Sequence, residues 1–206
     1  NYFYAKKLKG KLILRIEDTD QNRLVKNAEQ DLIDMLLWAG VDFDEGPHIS
    51  GDFGPYRQSD RLFMYKDFYY DLIKRNYAYP CFYSDDRLKK LSSGDLSTED
   101  AAIEDAIFKD FDLETIWDKM DQEQFVVRFK IPNNQILSHQ DLIKGEVKFD
   151  LTLINDPIII KSDGFPTYHF ANVIDDHLMN ITHVIRGEEW LPSIPKPVSY
   201  THLTLP

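Results

Sequence analysis

The sequence predicts an α/β fold in which a parallel sheet is interrupted by an α+β insertion. In residues 1–78, a strand-like run at 12–16 alternates with helix-like runs, which is typical of βα units in a parallel sheet. In residues 79–165, several short strand-like runs surround an acidic, helix-like stretch. A β-branched run at 182–185 then predicts a further buried strand, so the insertion divides the sheet into two parts.

The composition indicates a globular chain with a hydrophobic core. Hydrophobic residues make up 43% of the 206 residues and charged residues 29%, which excludes a disordered chain. The net charge of −11 excludes a generally basic nucleic-acid-binding protein, although a local basic face stays open. No apolar run is long enough to cross a bilayer. The single cysteine, Cys81, argues against a disulfide framework and predicts a reducing, cytoplasmic location.

Three helices are expected before the insertion. Residues 1–8 have the pattern of the end of a helix, and with no initiating methionine we expect a truncated N-terminus. Residues 28–38 are amphipathic, and their apolar stripe is expected in the core; it comprises Ala28, Leu32, Met35 and Leu36. Residues 60–76 carry apolar side chains at helical spacing, with Ser59 as the expected N-cap.

The insertion is expected to combine short strands with an acidic helical region. Strands are predicted at residues 79–84, 125–131, 145–151 and 157–160. Residues 85–120 are acidic and helical in pattern. No residue type in this region by itself indicates chemistry.

The strongest candidate site lies in residues 161–190. The predicted strand at 182–185 is followed by Arg186, and ligands bind at the carboxyl ends of strands in open α/β sheets. Tyr168, Asn172 and Glu189 are further polar groups among apolar neighbours. The alternative is structural: Tyr168 and Asn172 would cap a turn, and Arg186 would pair with a neighbouring surface acid, Glu188.

Two acidic groups leave alternatives open. Residues 17–20 can form a solvated turn, a helix cap or a metal site with oxygen ligands. Asp175 and Asp176, with nearby histidines, can suggest a metallohydrolase, but their spacing fits no ligand pattern such as His at i and i+4. A satisfied polar network beneath the site is the preferred interpretation of this second group.

Residues 161–190, and the run Arg-Ile-Glu-Asp-Thr-Asp at 15–20, resemble the glutamyl-tRNA synthetase family of class I aminoacyl-tRNA synthetases, in its bacterial or organellar form. The resemblance implies an incomplete Rossmann-like sheet, with residues 1–78 and 166–196 as the two halves of a truncated catalytic nucleotide-binding domain. Residues 79–165 would be the insertion that holds the tRNA acceptor end. Residues 197–206 are unlike the family.

The family activates L-glutamate with ATP and Mg²⁺ as glutamyl-adenylate, then transfers it to the 3′ end of tRNA(Glu). The resemblance implies that Glu17 binds the ammonium group of glutamate, and that Arg186 binds a carboxylate with help from Tyr168 and Asn172. Glu189 matches a position near ATP. Candidate tRNA contacts are Arg23, Arg128 and Lys130, although lone cations are usually a solvated face. Both ATP signatures of the family are absent, so no catalytic residue is identified.

Three further expectations follow from the resemblance. Some members hold zinc in the insertion, but Cys81 is the only cysteine and Tyr83 stands where a second would be, so we expect no zinc. We expect the protein to be a monomer. We also expect that this chain by itself does not form glutamyl-adenylate. The alternatives are a glutaminyl-tRNA synthetase, the short paralogue that loads glutamate onto a modified tRNA base, and a non-enzymatic tRNA-binding remnant.

Overall fold

The computed structural model describes residues 1–82, 106–132 and 136–193, together with Lys90, Ser93 and Ser97. The helices in these residues are α1 Tyr2–Leu8, α2 Ala28–Trp38, α3 Leu62–Lys74, α4 Leu113–Gln122 and α5 Tyr168–Leu178. The strands are β1 Ala78–Phe82, β2 Phe125–Phe129, β3 Ile136–Asp141, β4 Gly145–Asp150 and β5 Ile158–Ile160. None of the described helices is both long and apolar enough to cross a membrane.

The hydrogen-bonded ladders of the described chain are antiparallel and lie in the predicted insertion. One sheet has the order β1-β2-β5, and β1 pairs with β2 from Ala78 opposite Phe129 to Phe82 opposite Phe125. Strands β3 and β4 form a separate hairpin. The predicted strands at 125–131, 145–151 and 157–160 are confirmed with shorter bounds, whereas β3 was not predicted. Much of the predicted helical region, residues 85–120, lies outside the described residues.

The main core lies between the three-stranded sheet and helices α3, α4 and α5. Its buried side chains come from all of these elements, and those that are at most 1% exposed include Leu72, Val127, Phe129, Ile159, Ile160, Phe170 and Ile174. Because α3 and α5 share this core with the strands of the predicted insertion, the helix that carries Tyr168 and Asn172 is held by apolar packing on one side.

Parallel pairing is present in the described chain as two single bridges. Ile13 bridges to Glu45 and Ile16 bridges to Arg57, both in the parallel sense. The prediction of a continuous strand at 12–16 is therefore wrong, although the predicted strand direction is correct. The physical reason is that its two neighbours lie on different loops, so each contributes one contact point instead of a ladder.

The prediction of a buried strand at 182–185 is also wrong. These residues have no regular secondary structure and every one is exposed, with Val184 at 59% and Ile185 at 56%. Their β-branched composition favours a strand, but a strand also needs a hydrogen-bonding neighbour. No strand of the described residues pairs with this segment.

Helix α2 has the predicted bounds, but its buried face differs from the predicted one. Ile33 is its only buried residue, whereas Leu32 and Met35 are 39% and 60% exposed. Helical spacing identifies the residues that share a face, but it does not show whether another element covers that face.

Glu45 ties the segment around residue 11 to the loop that precedes α3. Its carboxylate accepts hydrogen bonds from the Tyr56 hydroxyl at 2.6 Å, Lys11 Nζ at 3.1 Å and the Phe53 amide at 3.2 Å. The Tyr56 bond, followed by the Lys11 and Phe53 bonds, lowers the pKa of Glu45 against the opposing effect of burial.

Replacing Glu45 with glutamine is therefore expected to remove a pH-dependent part of the stability. A carboxylate with a lowered pKa stabilises the fold fully above its ordinary value of 4.5, and this contribution is lost as the pH falls through the lower folded pKa. Urea unfolding between about pH 3 and pH 7 should show that the wild type loses more stability on acidification than Glu45→Gln. Equal losses in the two proteins would contradict the prediction.

Candidate active site

Asp175 on α5 is the centre of a buried polar network. Its carboxylate is fully buried, and Oδ1 accepts a hydrogen bond from Arg61 Nε at 2.7 Å. The other oxygen, Oδ2, accepts from the Tyr65 hydroxyl at 2.8 Å and from Gln58 Nε2 at 2.9 Å. Burial, with the charge of Asp175 beside it, raises the pKa of Tyr65, so the hydroxyl remains a donor. The preferred sequence interpretation of Asp175 as part of a polar network is confirmed.

Arg15 joins the segment that carries Glu17 to α5. Its Nη1 donates to Asp176 Oδ1 at 2.8 Å, and its Nη2 donates to Glu17 Oε1 at 3.1 Å. Burial opposes the charge of Arg15, but Asp176, Asp175 and Glu17 outweigh it and raise the pKa of the guanidinium. Glu17 is consequently held against α5 while its side chain remains 32% exposed.

The acidic run at 17–20 is bound by neighbouring elements in the structure. Asp18 accepts hydrogen bonds from the amide of Ser59 at 2.8 Å and from its hydroxyl at 2.6 Å. Ser59 lies in a 3-10 turn, Gln58–Arg61, and makes no side-chain cap of α3, so its predicted N-cap role is wrong. Lys161 Nζ donates to the Thr19 carbonyl at 3.0 Å, which attaches the run to the turn before α5.

Arg186 lies against aromatic rings at the start of α5. Its guanidinium carbon is 5.6 Å from the centre of the Tyr168 ring and 5.9 Å from that of Trp190. The alternative pairing with Glu188 is wrong, because Glu188 pairs with Lys144 at 2.7 Å. No acidic side chain of the described residues lies within ion-pair distance of Arg186, so its exposed N–H groups can reach a ligand.

Tyr168 and Asn172 are part of α5, so the alternative in which they cap a turn is wrong. Residues 168, 172 and 176 are spaced by four, which places them on one face of the helix. Asn172 is 2% exposed, and its Oδ1 accepts a hydrogen bond from Gln58 Nε2 at 2.8 Å. Its amide nitrogen is buried and has no partner among the described residues.

These contacts bring four of the predicted residues to one face of α5. Arg186 lies at the Tyr168 end of this face, Asn172 lies in its middle, and Glu17 is held at the Asp176 end through Arg15. The helical rise places the two ends about 12 Å apart along the axis. A cation and an anion therefore flank a buried amide donor.

The remaining predicted residues lie in different surroundings. Glu189 is exposed, and its carboxylate lies against Gly187, in the space that a side chain at that position would occupy. Arg23 is 87% exposed and pairs with Asp20 at 3.0 Å. Arg128, in contrast, is 8% exposed and donates to the Asp156 carbonyl at 2.8 Å, which gives it a structural contact.

Lys130 is half-buried beside a cavity of about 300 Å³ whose lining also includes Lys74 and Lys109. Its ammonium group donates to the side-chain carbonyl of Asn76. Burial, together with the neighbouring Lys109, lowers the pKa of Lys130.

Sequence reasoning did not identify Arg15, Gln58, Arg61 and Tyr65, which support the candidate site. A signal for Arg61 was present, since it precedes Tyr65 by four residues and Leu72 by eleven, which places it in line with the apolar face of the predicted helix at 60–76. A charged residue on an apolar face indicates a buried partner of opposite charge. Within the described part of the chain, no three His, Cys, Asp or Glu side chains are arranged to hold a metal ion.

The chain is similar to known proteins along nearly its whole length. A family model for the catalytic domain of class I tRNA synthetases of the E and Q type matches residues 1–203, so the chain belongs to this family. It is similar to glutamate–tRNA ligases from Chlorobium phaeobacteroides (44% identity over the whole chain) and Alkaliphilus metalliredigens (43% identity over 96% of the chain).

A solved structure shows the same relationship in three dimensions. The crystal structure of a glutamate tRNA ligase from Elizabethkingia meningosepticum, in complex with its amino acid, matches 98% of this chain with a TM-score of 0.82 and 37% identity. The fold class predicted from sequence, a partial Rossmann-like class I synthetase fold, is thereby confirmed. The chain spans 44% and 42% of the two curated relatives, and it covers 42% of the solved chain.

Proposed function

We propose that this chain contributes the glutamate-binding part of a glutamate–tRNA ligase. Such an enzyme forms glutamyl-adenylate from L-glutamate and ATP with release of pyrophosphate, with Mg²⁺ accompanying the nucleotide, and then transfers the glutamyl group to the 3′ end of tRNA(Glu) with release of AMP. The arrangement on α5 is the observation that carries the proposal. A free ammonium group and two carboxylates require a nearby anion, a nearby cation and further donors, which Glu17, Arg186 and Asn172 supply.

Arg186 is assigned to a carboxylate of glutamate. A guanidinium whose face rests on aromatic rings still offers N–H groups along its edges, and their fork matches the two oxygens of a carboxylate. Glu17 is assigned to the ammonium group, since it is partly exposed and held in place by Arg15. Tyr168 and Asn172 add donors between these charges.

The proposed contacts with ATP and tRNA involve residues outside the face of α5 described above. Catalysis of adenylate formation depends mainly on positioning and on stabilising charge at the α-phosphate. Glu189 is proposed to lie near ATP, and its exposure leaves it accessible. Arg23 and Lys130 are proposed tRNA contacts, whereas the burial of Arg128 counts against a direct phosphate contact.

Pyrophosphate exchange tests the proposed function. The chain and the complete product of its gene are assayed with ATP, tRNA(Glu) and either glutamate or glutamine. We expect exchange by the gene product that depends on glutamate and is not supported by glutamine; the assay of the chain tests whether it is inactive alone. Exchange that uses both amino acids equally, or none with glutamate, would overturn the proposal.

A further inference from the structure

Two buried side-chain amide atoms next to the Asp175 network lack hydrogen-bond partners among the described residues. They are Gln58 Oε1 and Asn172 Nδ2, which belong to two side chains joined by a hydrogen bond. Gln58 is completely buried and Asn172 is 2% exposed, so bulk water does not reach them freely. Buried polar atoms of this kind are uncommon and call for a ligand, an ordered water or a strained contact as their explanation.

The orientation of both amides follows from the carboxylate of Asp175. A carboxylate oxygen only accepts hydrogen bonds, and both oxygens of Asp175 already accept them, from Arg61 Nε at 2.7 Å and from the Tyr65 hydroxyl at 2.8 Å. The end of Gln58 that faces Asp175 must therefore be its NH₂ group, 2.9 Å away. The same nitrogen lies 2.8 Å from Asn172, so Asn172 must turn its carbonyl oxygen towards Gln58.

This orientation leaves the NH₂ group of Asn172 as the end of its side chain that has no hydrogen-bond partner among the described residues. Asn172 lies one helical turn after Tyr168, and Arg186 rests on the Tyr168 ring. A hydrogen-bond donor beside a cation suits an acceptor oxygen, above all one of a carboxylate. The same side chain in the reverse orientation would present an acceptor, which repels a carboxylate and favours an amide NH₂ of the ligand.

We propose that Gln58 is a positioning residue that fixes the amide orientation of Asn172, so that a donor faces the amino-acid ligand. Asp175 orients Gln58, and Gln58 orients Asn172, in a relay of hydrogen bonds from α5 to the turn before α3 and back. This inference rests on the proposed binding of glutamate beside Asn172. It adds a specificity role for Gln58, which itself stays behind Asn172 in the core.

The relay is tested with Gln58→Met in the complete gene product. Methionine has a similar length but cannot orient Asn172, so we expect glutamate binding, measured by calorimetry, to weaken about tenfold. The KM for ATP should change less than about twofold, because the ATP contacts do not depend on this amide. Gln30→Met is the matched control, since Gln30 bonds Asp34 on the exposed side of α2.

A double-mutant cycle shows whether Gln58 acts through Asn172. In an Asn172→Ala background, Gln58→Met should have no further effect on glutamate affinity. An equal loss of affinity with and without Asn172 would overturn the relay, as would unchanged affinity in the Gln58→Met single variant. If the wild type binds no glutamate, the proposed function is wrong. The relay is then tested by measuring the orientation of the Gln58 and Asn172 amides directly.

Orientation is measured by NMR on the wild-type protein, which needs neither a variant nor a ligand. A scalar coupling across the hydrogen bond from the Gln58 side-chain nitrogen to the Asn172 carboxamide carbon is expected. A coupling in the reverse direction, from Asn172 nitrogen to the Gln58 carbon, would overturn the proposal. The absence of both couplings, with fast exchange of the Gln58 NH₂ hydrogens, would overturn it as well.

Discussion

Replacing Arg61 with methionine is expected to lower the free energy of unfolding by about 3–5 kcal/mol. Arg61 is 1% exposed and Asp175 is fully buried, so the variant leaves a carboxylate in the core without its cation. Arg61 also donates to the carbonyls of Phe53 and Pro55, which lose a partner at the same time. Removing one partner of a buried ion pair leaves the other charge desolvated in the core. The resulting loss of stability is therefore much larger than the stability that the intact pair adds relative to two apolar residues.

The measurement is urea unfolding at neutral pH, with stability extrapolated to water. Arg75→Met is the matched control: Arg61 directly precedes α3 and Arg75 directly follows it, and Arg75 pairs with Asp71 at 3.2 Å, but these two side chains are 46% and 55% exposed. An exposed pair of this kind contributes about 1 kcal/mol or less. Similar losses of stability in the two variants would show that the Arg61–Asp175 pair is no more important than a surface pair.

Replacing Arg186 with alanine is expected to raise the KM for glutamate about a hundredfold in the complete gene product, with little change in the KM for ATP. Charged hydrogen bonds contribute about 1.5–3 kcal/mol each, and a bidentate contact to a carboxylate has two of them. A loss of about 2.7 kcal/mol corresponds to a hundredfold weaker interaction. The fold should be unaffected, because Arg186 is exposed and makes no ion pair with the described residues.

Arg186→Lys and Arg75→Ala complete this experiment. Lysine keeps the charge but has neither the planar fork nor the stacking on Tyr168, so we expect it to restore only a small part of the glutamate affinity. Arg75→Ala removes an arginine far from the proposed site and should leave both KM values unchanged. A KM for glutamate within roughly threefold of wild type in Arg186→Ala would mean that Arg186 is a surface residue with no part in binding.

Local residue patterns were sufficient to locate some of the helices and strands. The bounds of α2 were anticipated, and so was a strand beginning at residue 125, although it was predicted to run to 131 and ends at 129, because spacing and β-branched composition act over a few neighbouring residues. Helix α5 was not anticipated. Its buried face carries Asn172 and Asp175 among apolar residues, and these polar side chains obscure the amphipathic pattern.

The candidate site residues were found through residues 15–20 and 161–190, which resemble the glutamyl-tRNA synthetase family. The family model and the solved structures show the same relationship. Their residue types determine the available chemistry: an acid at Glu17, a forked cation at Arg186 and an amide at Asn172. Local pattern could not show that Arg186 rests on Tyr168 instead of pairing with Glu188, because both neighbours are available in the sequence.

The buried support of the site depends on contacts between distant parts of the chain. Gln58 and Arg61 meet Asp175 across 117 and 114 residues, and Arg15 meets Asp176 across 161. Residue types along the chain supply donors and acceptors, but hydrogen bonds form only between groups within about 3 Å of each other. Packing of α3 against α5 brings Gln58 and Arg61, which directly precede α3, within that distance of Asp175, and we propose that this contact sets which end of Asn172 faces the ligand.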